Sequence, residues 1–131
     1  DPITRESLIR LFASILRREE DGDYYLVTSN EKWRIKVESH PLVIIDVDAL
    51  EMADGQVLEA TLNTGKRILV SEQYPLFLDP ALGGIAALCL PHALTALCTR
   101  AAWYRLLNLA ILQDGRAILR SGEFEISIPM E

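Results

Sequence analysis

Apolar residues recur at helical spacing near the start of the chain and again towards its end. In the first region Thr4 suits a helix N-cap, and an apolar face begins at Leu8 and continues to Leu16. Pro91 suits the first turn of a second helix running to about Leu112, which is apolar nearly all round. A helix of that kind is normally buried. We therefore predict an amphipathic first helix and a buried second helix.

The segments between and after the helices have the patterns of short strands. Residues 32–37 alternate between basic and apolar side chains, which is typical of a half-buried strand. Further strands are predicted at residues 24–27, 42–47, 57–62, 67–70, 117–120 and 124–128. Residues 71–84 contain two prolines and two glycines and are predicted to be irregular. The mixture predicts an α+β fold with antiparallel strands.

Two parts of the chain share one order of elements. Pro2, a helix, Asp21-Gly22 and a strand correspond to Pro91, a helix, Asp114-Gly115 and a strand. A helix followed by a hairpin is a common local motif, so both duplication and chance recurrence are compatible with this order. We predict two repeated helix-plus-antiparallel-strand units sharing a core, with sub-domains at residues 1–52 and 53–131 or one compact domain.

The acidic composition limits the possible partners. The chain has 13 Lys and Arg against 19 Asp and Glu, a net charge of -6. Sequence-independent nucleic-acid binding needs many cations to neutralise phosphates, so nucleic acid is not an expected partner. A small anion held by a few local cations is compatible with this charge. No segment has the pattern of a signal peptide or of a membrane span, and we expect a cytoplasmic protein.

Cys89 and Cys98 lie in apolar surroundings, where cysteine behaves as a small hydrophobic residue. This usage predicts free thiols in a reducing compartment. With His92 and His40 they could supply metal ligands, but the apolar context disfavours a metal site. His40 lies beside a proline at a predicted hairpin end, and we expect it on the surface.

No motif for catalysis or cofactor binding occurs. Gly65-Lys66-Arg67 resembles the end of a phosphate-binding loop, but Ala60 and Arg67 occupy positions that require Gly and Ser or Thr. A hairpin turn explains these residues better. We predict no cofactor and nominate no catalytic residue.

A basic strand face is one candidate anion site. Lys32, Arg34 and Lys36 share this face and could bind a phosphate or carboxylate. If a three-residue loop joins the strand to the next one, Arg34 instead faces Asp46 and Lys32 faces Asp48 in cross-strand pairs. The register of the hairpin decides between these alternatives.

Arg100 is the strongest single candidate for binding a ligand. A guanidinium on a buried helix must be paired or hydrogen-bonded, and Tyr104 lies one turn further on the same face. The pair could bind an anion, or Arg100 could satisfy a carboxylate or loop carbonyls instead. Polar residues in predicted turns complete the set. The predicted ligand-binding residues are Arg100, Tyr104, Arg34, Thr28, Glu31, Thr61 and Asn63.

The sequence also resembles a known family. The similarity is strongest over residues 2–28, which include Leu11-Phe12-Ala13-Ser14-Ile15-Leu16 and Asp21-Gly22-Asp23-Tyr24-Tyr25. These blocks resemble the bacterial family called domain of unknown function 1285. The family usually has a proline after the Thr of the first turn, where this chain has Ser29. The resemblance implies a duplicated α+β core, a second half loosely like pleckstrin-homology folds, and a cleft between the halves for a nucleotide-like ligand in signalling.

These observations predict a small-ligand-binding regulatory module with its site between the two halves. The expected ligand is nucleotide-like or otherwise anionic. Two other functions are compatible with the sequence. One is a protein-interaction module, including a homodimer, without a small ligand. The other is a small hydrolase without a recognisable motif, whose minimum signature would be titratable groups converging in a pocket.

Overall fold

The fold is α+β and consists mostly of antiparallel strands in three sheets. A computed structural model describes residues 13–29, 32–35, 40–53 and 55–129. Two segments of this part are α-helical, residues 13–15 and helix α1 at Arg100–Asn108. Neither segment is long and apolar enough to cross a membrane.

The N-terminal sheet is a three-stranded antiparallel meander. It consists of β1 (Leu16–Arg18), β2 (Tyr24–Val27) and β3 (Lys32–Ile35). The predictions of strands here are confirmed for β2 and for the described part of the 32–37 segment. The prediction that the first helix includes Leu16 is wrong, because Leu16 pairs with Leu26. Pairing with a neighbouring strand overrides the local helical spacing.

A six-stranded sheet forms the centre of the protein. Its strands are β4 (Leu42–Met52), β5 (Gly55–Leu62), β6 (Arg67–Leu69), β7 (Leu76–Asp79), β8 (Ile85–Cys89) and β9 (Thr95–Cys98). The order is β6-β5-β4-β9-β8-β7, and only the β4–β9 pair is parallel. Residues 71–84, predicted to be irregular, contain β7. The predicted sub-domain boundary at 52/53 falls in the β4–β5 turn, so this sheet contains strands from both predicted halves.

The third sheet follows helix α1 and confirms the two C-terminal strands predicted from the sequence. It consists of β10 (Ile111–Gln113), β11 (Arg116–Ser121) and β12 (Phe124–Ile128), all antiparallel. Ser121 joins it to the central sheet, because its buried hydroxyl accepts a hydrogen bond from Leu58 N–H at 2.8 Å. The same hydroxyl donates to the carbonyl oxygen of Val70 at 2.6 Å.

The predicted second helix at residues 91–112 is wrong over most of its length. Pro91 starts a short 3-10 turn, β9 follows, and α1 begins only at Arg100 after its N-cap Thr99. A continuous apolar run fits a strand buried on both faces as well as it fits a buried helix. Because Arg100 lies at the start of the helix, its side chain is exposed, and the inference of a buried guanidinium is wrong.

Helix α1 packs against β4 and β9 through one side only. Its buried residues are Ala102 and Leu106, whereas the side chain of Tyr104 is 57% exposed. The main core lies between the central sheet, α1 and the third sheet. Its most completely buried large side chains include Ile44, Leu58, Leu88, Leu106 and Leu119.

A separate small cluster joins the N-terminal sheet to the rest of the protein. Leu16 and Tyr24 pack with Leu94, which follows the turn after β8. Within the described ranges, no hydrogen bond or ion pair connects strands β1–β3 to the six-stranded sheet. Among the described residues, this junction is made by apolar contact.

The alternative in which Arg34 faces Asp46 and Lys32 faces Asp48 is wrong. Strand β3 pairs with β2, so Arg34 lies 3.5 Å from Asp23, and Lys32 pairs with Glu19. Asp46 and Asp48 instead bind the guanidinium of Arg105 on helix α1, at 3.1 and 2.8 Å. These ion pairs are exposed, and such pairs contribute little to stability.

Candidate functional site

A cavity of about 420 Å³ lies at the junction between the N-terminal segment and the six-stranded sheet. Four parts of the described chain bring residues to it: residues 13–17, the start of β4, the β5–β6 hairpin, and the turn between β8 and β9. Its lining residues are Ala13, Ser14, Arg17, Leu42, Leu62, Thr64, Lys66, Ile68, Leu90, Pro91, His92 and Leu94. Cavities of this size hold small molecules in many proteins.

The β5–β6 hairpin turn positions Thr64 and Lys66 at the cavity. Leu62 N–H donates to the carbonyl of Lys66 at 2.8 Å, and Gly65 N–H donates to the carbonyl of Leu62 at 2.9 Å. Gly65 has φ 88°, a left-handed conformation that glycine adopts at little cost. Buried Thr64 accepts a hydrogen bond from Lys66 N–H at 3.3 Å. The interpretation of Gly65-Lys66-Arg67 as a hairpin turn is confirmed.

The β8–β9 turn forms another side of the cavity and holds two residues in an unfavourable backbone conformation. His92 and Ala93 have φ values of 63° and 58°. For residues with a Cβ this left-handed region costs roughly 1–2 kcal/mol each. Leu90 N–H donates to the carbonyl of Leu94 at 2.9 Å, which closes the turn and holds the strained pair. Strained backbone of this kind is found most often at functional sites.

The charged groups that the described residues bring to the cavity are basic. Its charged or titratable lining residues are Arg17, Lys66 and His92, and the lining formed by the described residues includes no Asp or Glu. The Arg17 guanidinium is oriented by its Nη1, which donates to the carbonyls of Leu16 at 2.7 Å and Ser14 at 3.2 Å. Within the part of the chain that the structure describes, neither Arg17 nor Lys66 has a carboxylate partner.

The predicted binding residues that the structure describes do not line the cavity. Arg100 and Tyr104 are exposed on α1, Arg34 pairs with Asp23, and Thr28 is exposed. Glu31 lies outside the described residues.

Thr61 and Asn63 come closest to the cavity, because they are in the same hairpin as Lys66. Asn63 N–H donates to the carbonyl of Val43 at 2.9 Å, and its side-chain oxygen accepts from Val43 N–H at 3.3 Å. Asn63 therefore ties the hairpin to β4. None of the six predicted residues that the structure describes lines the cavity. A ligand contact by any of the seven stays a prediction.

The sequence analysis did not select the cavity residues as binding residues. Lys66 was recognised only as part of a turn, and His92 only as a metal ligand that its context disfavours. The available signal was two basic residues, Arg17 and Lys66, next to apolar strand residues in an acidic chain. That signal does not show that the segments containing Arg17 and Lys66 come together at one cavity.

Outside the cavity, a group of three polar side chains connects β7 and β9 to the segment just before β4. The ring nitrogens of His40 lie 2.7 Å from Thr95 Oγ1 and 2.7 Å from Asp79 Oδ2. The prediction of a surface His40 is wrong, because its side chain is only 7% exposed. The hydrogen bond from His40 lowers the pKa of the Asp79 carboxyl. Asp79 also accepts from Ala81 N–H at 3.0 Å and caps a 3-10 turn.

The hydroxyl, imidazole and carboxylate of this group follow the order used in nucleophilic catalysis. None of the three lines the cavity, and Asp79 is also engaged by the cap. The arrangement therefore explains how β7, β9 and the start of β4 are held together.

Both cysteines are free thiols, as the sequence predicts. Burial raises the pKa of Cys98 to about 12 and also raises the pKa of half-buried Cys89. Among the residues described, no three His, Cys, Asp or Glu side chains are grouped as metal ligands.

Cys98 is therefore expected to resist thiol reagents in the folded protein. At pH 8 a thiol with that pKa is ionised only to a fraction on the order of 10⁻⁴, and the thiolate is the reactive form. Ellman's reagent should label Cys98 only at the rate of unfolding, and Cys89→Ser should remove the faster native phase. Rapid labelling of two thiols per native molecule would contradict this burial.

Comparison with known proteins identifies the family. Residues 1–40 match the family model described as the N-terminal domain of a domain of unknown function, DUF1285. No curated protein matches the sequence. The crystal structure of a DUF1285 family protein from Shewanella baltica OS155 is 27% identical, with a TM-score of 0.62 over 80% of this chain and 78% of that one.

A second solved structure is more similar. It is a DUF1285 family protein from Silicibacter pomeroyi DSS-3, 36% identical to this chain, with a TM-score of 0.82. The alignment covers 97% of this chain and 70% of that one. With this identity and coverage, the chain belongs to the DUF1285 family.

Proposed function

We propose that this protein is a regulatory module that binds a small anionic molecule in the cavity between its N-terminal and six-stranded sheets. The observation that carries this proposal is the convergence of Arg17, Lys66 and His92 on a largely apolar cavity of about 420 Å³. The chain as a whole has a net charge of -6. A local excess of positive charge in an acidic protein attracts an anion to that place.

The immediate surroundings of Arg17 support an anionic ligand. Its Nη1 is held by two backbone carbonyls, which fixes the guanidinium without neutralising its charge. Hydrogen bonds between an ionised donor and an anionic partner are stronger than those between neutral groups. A carboxylate or phosphate in the cavity would supply that partner to Arg17 and Lys66 together.

The location of the cavity supports a regulatory role. The junction of the N-terminal sheet depends on the small Leu16, Tyr24 and Leu94 cluster. A ligand touching both Arg17 and Lys66 would add contacts across this junction. Binding would then favour the docked arrangement of the two sheets over any other arrangement. A ligand shifts a conformational equilibrium only when it binds one conformation more tightly than the others.

A thermal-shift screen of anionic, neutral and cationic small molecules tests the proposal. An anion at about a hundred times its dissociation constant should stabilise the protein by about 2.7 kcal/mol, a shift of several degrees. Lys66→Met should reduce this shift, whereas Arg67→Met, its neighbour outside the cavity, should leave it unchanged. Equal shifts in both variants would contradict binding at this site.

A protein-interaction module is the second candidate function, supported by one exposed region. Edge strand β10 carries Ile111 and Leu112, which are 39% and 74% exposed. Exposed apolar residues on an open strand edge can pair with another chain. A mass that rises with protein concentration and falls in Leu112→Lys, without any ligand response, would favour this function.

We also propose that the two units consisting of a helix and a three-stranded meander are repeats. In each unit an Asp-Gly turn joins the first two strands, with Gly22 at φ 85° and Gly115 at φ 77°. The same order of helix, turn and strands supports a duplication at residues 13–35 and 100–128. The likeness of the second half to pleckstrin-homology folds stays a prediction.

A further inference from the structure

The walls of the cavity restrict the kinds of anion that fit it. Five of the twelve lining residues that the structure describes are large aliphatic side chains: Leu42, Leu62, Ile68, Leu90 and Leu94. Apart from the imidazole of His92, the described lining has no aromatic ring, and it has no Asn, Gln, Asp or Glu. Nucleotide bases are bound by aromatic stacking and by side chains that pair with both donors and acceptors on their edges. An aliphatic ligand body matches these walls better than a base does.

Polarity is distributed unevenly across the cavity. Lys66 and His92 are exposed, whereas Leu42, Leu62, Ile68 and Leu94 are buried. Lys66 and the His92 imidazole therefore lie at the solvent side, Arg17 is half-buried, and these four aliphatic side chains are nearly closed off from solvent. A ligand with its charge at one end and hydrocarbon at the other can satisfy both regions in a single orientation.

On the basis of the proposed function, we propose that the ligand is an alkyl-chain acid. Its anionic head would bind between Arg17 and Lys66 near His92, and its hydrocarbon chain would lie against the leucine and isoleucine walls. A carboxylate and a phosphate ester could each serve as the anionic head, and binding experiments can distinguish them. The hydrocarbon would cover the apolar surface that the cavity leaves open, and the head would pair with cations that lack a described carboxylate partner.

Isothermal titration calorimetry with a homologous series of straight-chain acids tests this assignment. From butanoate to decanoate, below the micellar concentration, affinity should increase about fourfold for each methylene until the cavity is filled. Octanol, with the same chain and no charge, should bind at least about tenfold more weakly than octanoate. Octyltrimethylammonium should not bind. Comparing the affinities of octyl phosphate and octanoate shows which head group the site prefers.

Two pairs of adjacent variants separate the cavity from general hydrophobic adsorption. Lys66→Met and Arg17→Met should each weaken octanoate binding by about tenfold. Arg67→Met and Arg18→Met change the neighbouring residues, neither of which lines the cavity, and should leave the affinity unchanged. Equal effects within either pair, or equal affinities for octanol and octanoate, would overturn the assignment.

The outcomes also separate this inference from the proposed function. Binding of adenosine or guanosine monophosphate that depends on Lys66, with no binding of any alkyl acid, would overturn the alkyl-acid assignment and leave the anion site standing. If alkyl acids, nucleotides and inorganic phosphate all fail to bind, both the alkyl-acid assignment and the proposed function are overturned. If affinity increases with chain length and Lys66→Met weakens binding, both the alkyl-acid assignment and the anion site are supported.

Discussion

Replacing Leu106 with alanine is expected to lower the free energy of unfolding by about 3 kcal/mol. Leu106 is fully buried, and it belongs to the main core where helix α1 packs on β4. Removing a buried leucine side chain costs about 2–5 kcal/mol, because burial of apolar surface is lost and a cavity remains. Urea unfolding followed by circular dichroism measures this difference, provided that the m-value is unchanged.

Tyr104→Ala, two residues earlier in the same helix, provides the matched control. Its side chain is 57% exposed, so the expected change is within about 0.5 kcal/mol. Similar losses of unfolding free energy for Leu106→Ala and Tyr104→Ala would show that the helix is buried on all sides. Such a result would contradict the one-sided packing of α1 and restore the sequence interpretation in which Arg100 is buried.

Ser121→Ala is expected to cost about 2 kcal/mol of unfolding free energy, although it removes a single oxygen atom. The Ser121 hydroxyl lies between strands β5 and β6, where it accepts from Leu58 N–H and donates to the carbonyl of Val70. The ordinary ladder bond from Val70 N–H to the carbonyl of Leu58 is retained at 2.9 Å. Ser121 is 1% exposed, and a buried backbone group left without a partner costs about 1–3 kcal/mol.

Ser127→Ala serves as the control for this substitution, because Ser127 lies exposed on β12 of the same sheet. The expected change there is within about 0.5 kcal/mol. If Ser121→Ala also fell within that range, the hydroxyl would contribute little to the junction of the two sheets, where Gly122 N–H also donates to the carbonyl of Gln56 at 2.9 Å.

The sequence analysis was most accurate where turn residues delimit the strands. Asp-Gly and Asn-Thr-Gly mark the ends of hairpins, and the strands beside them were located to within a few residues. It failed over residues 85–98, where two buried strands form one nearly continuous apolar run. Periodicity does not separate such strands from a buried helix.

This one error had a consequence for the candidate site. Placing the helix start at Pro91 made Arg100 an interior residue, whereas the true N-cap is Thr99, whose hydroxyl accepts from Ala102 N–H at 3.2 Å. Thr is a common N-cap, so this signal was present in the sequence. Pro91 is a turn residue before β9 instead.

The cavity itself was beyond prediction from the sequence. Arg17 and Lys66 are 49 residues apart in the numbering, and they meet at one cavity only because the N-terminal sheet docks against the hairpin and the β8–β9 turn. Local patterns identify turns and faces, and docking of one sheet on another depends on contacts between distant residues. The expectation of an anion site between two parts of the chain could be formed from charge and resemblance, but its residues could not.

Mapping the site by nuclear magnetic resonance tests the central claim most directly. The measurement is a series of ¹H–¹⁵N correlation spectra of the labelled protein titrated with the best anion from the screen. Saturable shifts should concentrate on the amides of residues 13–17, 62–68 and 90–94, and Lys66→Met should weaken them. Saturable shifts centred instead on residues 100–104 or 111–113, with these three segments unmoved, would contradict binding in the cavity.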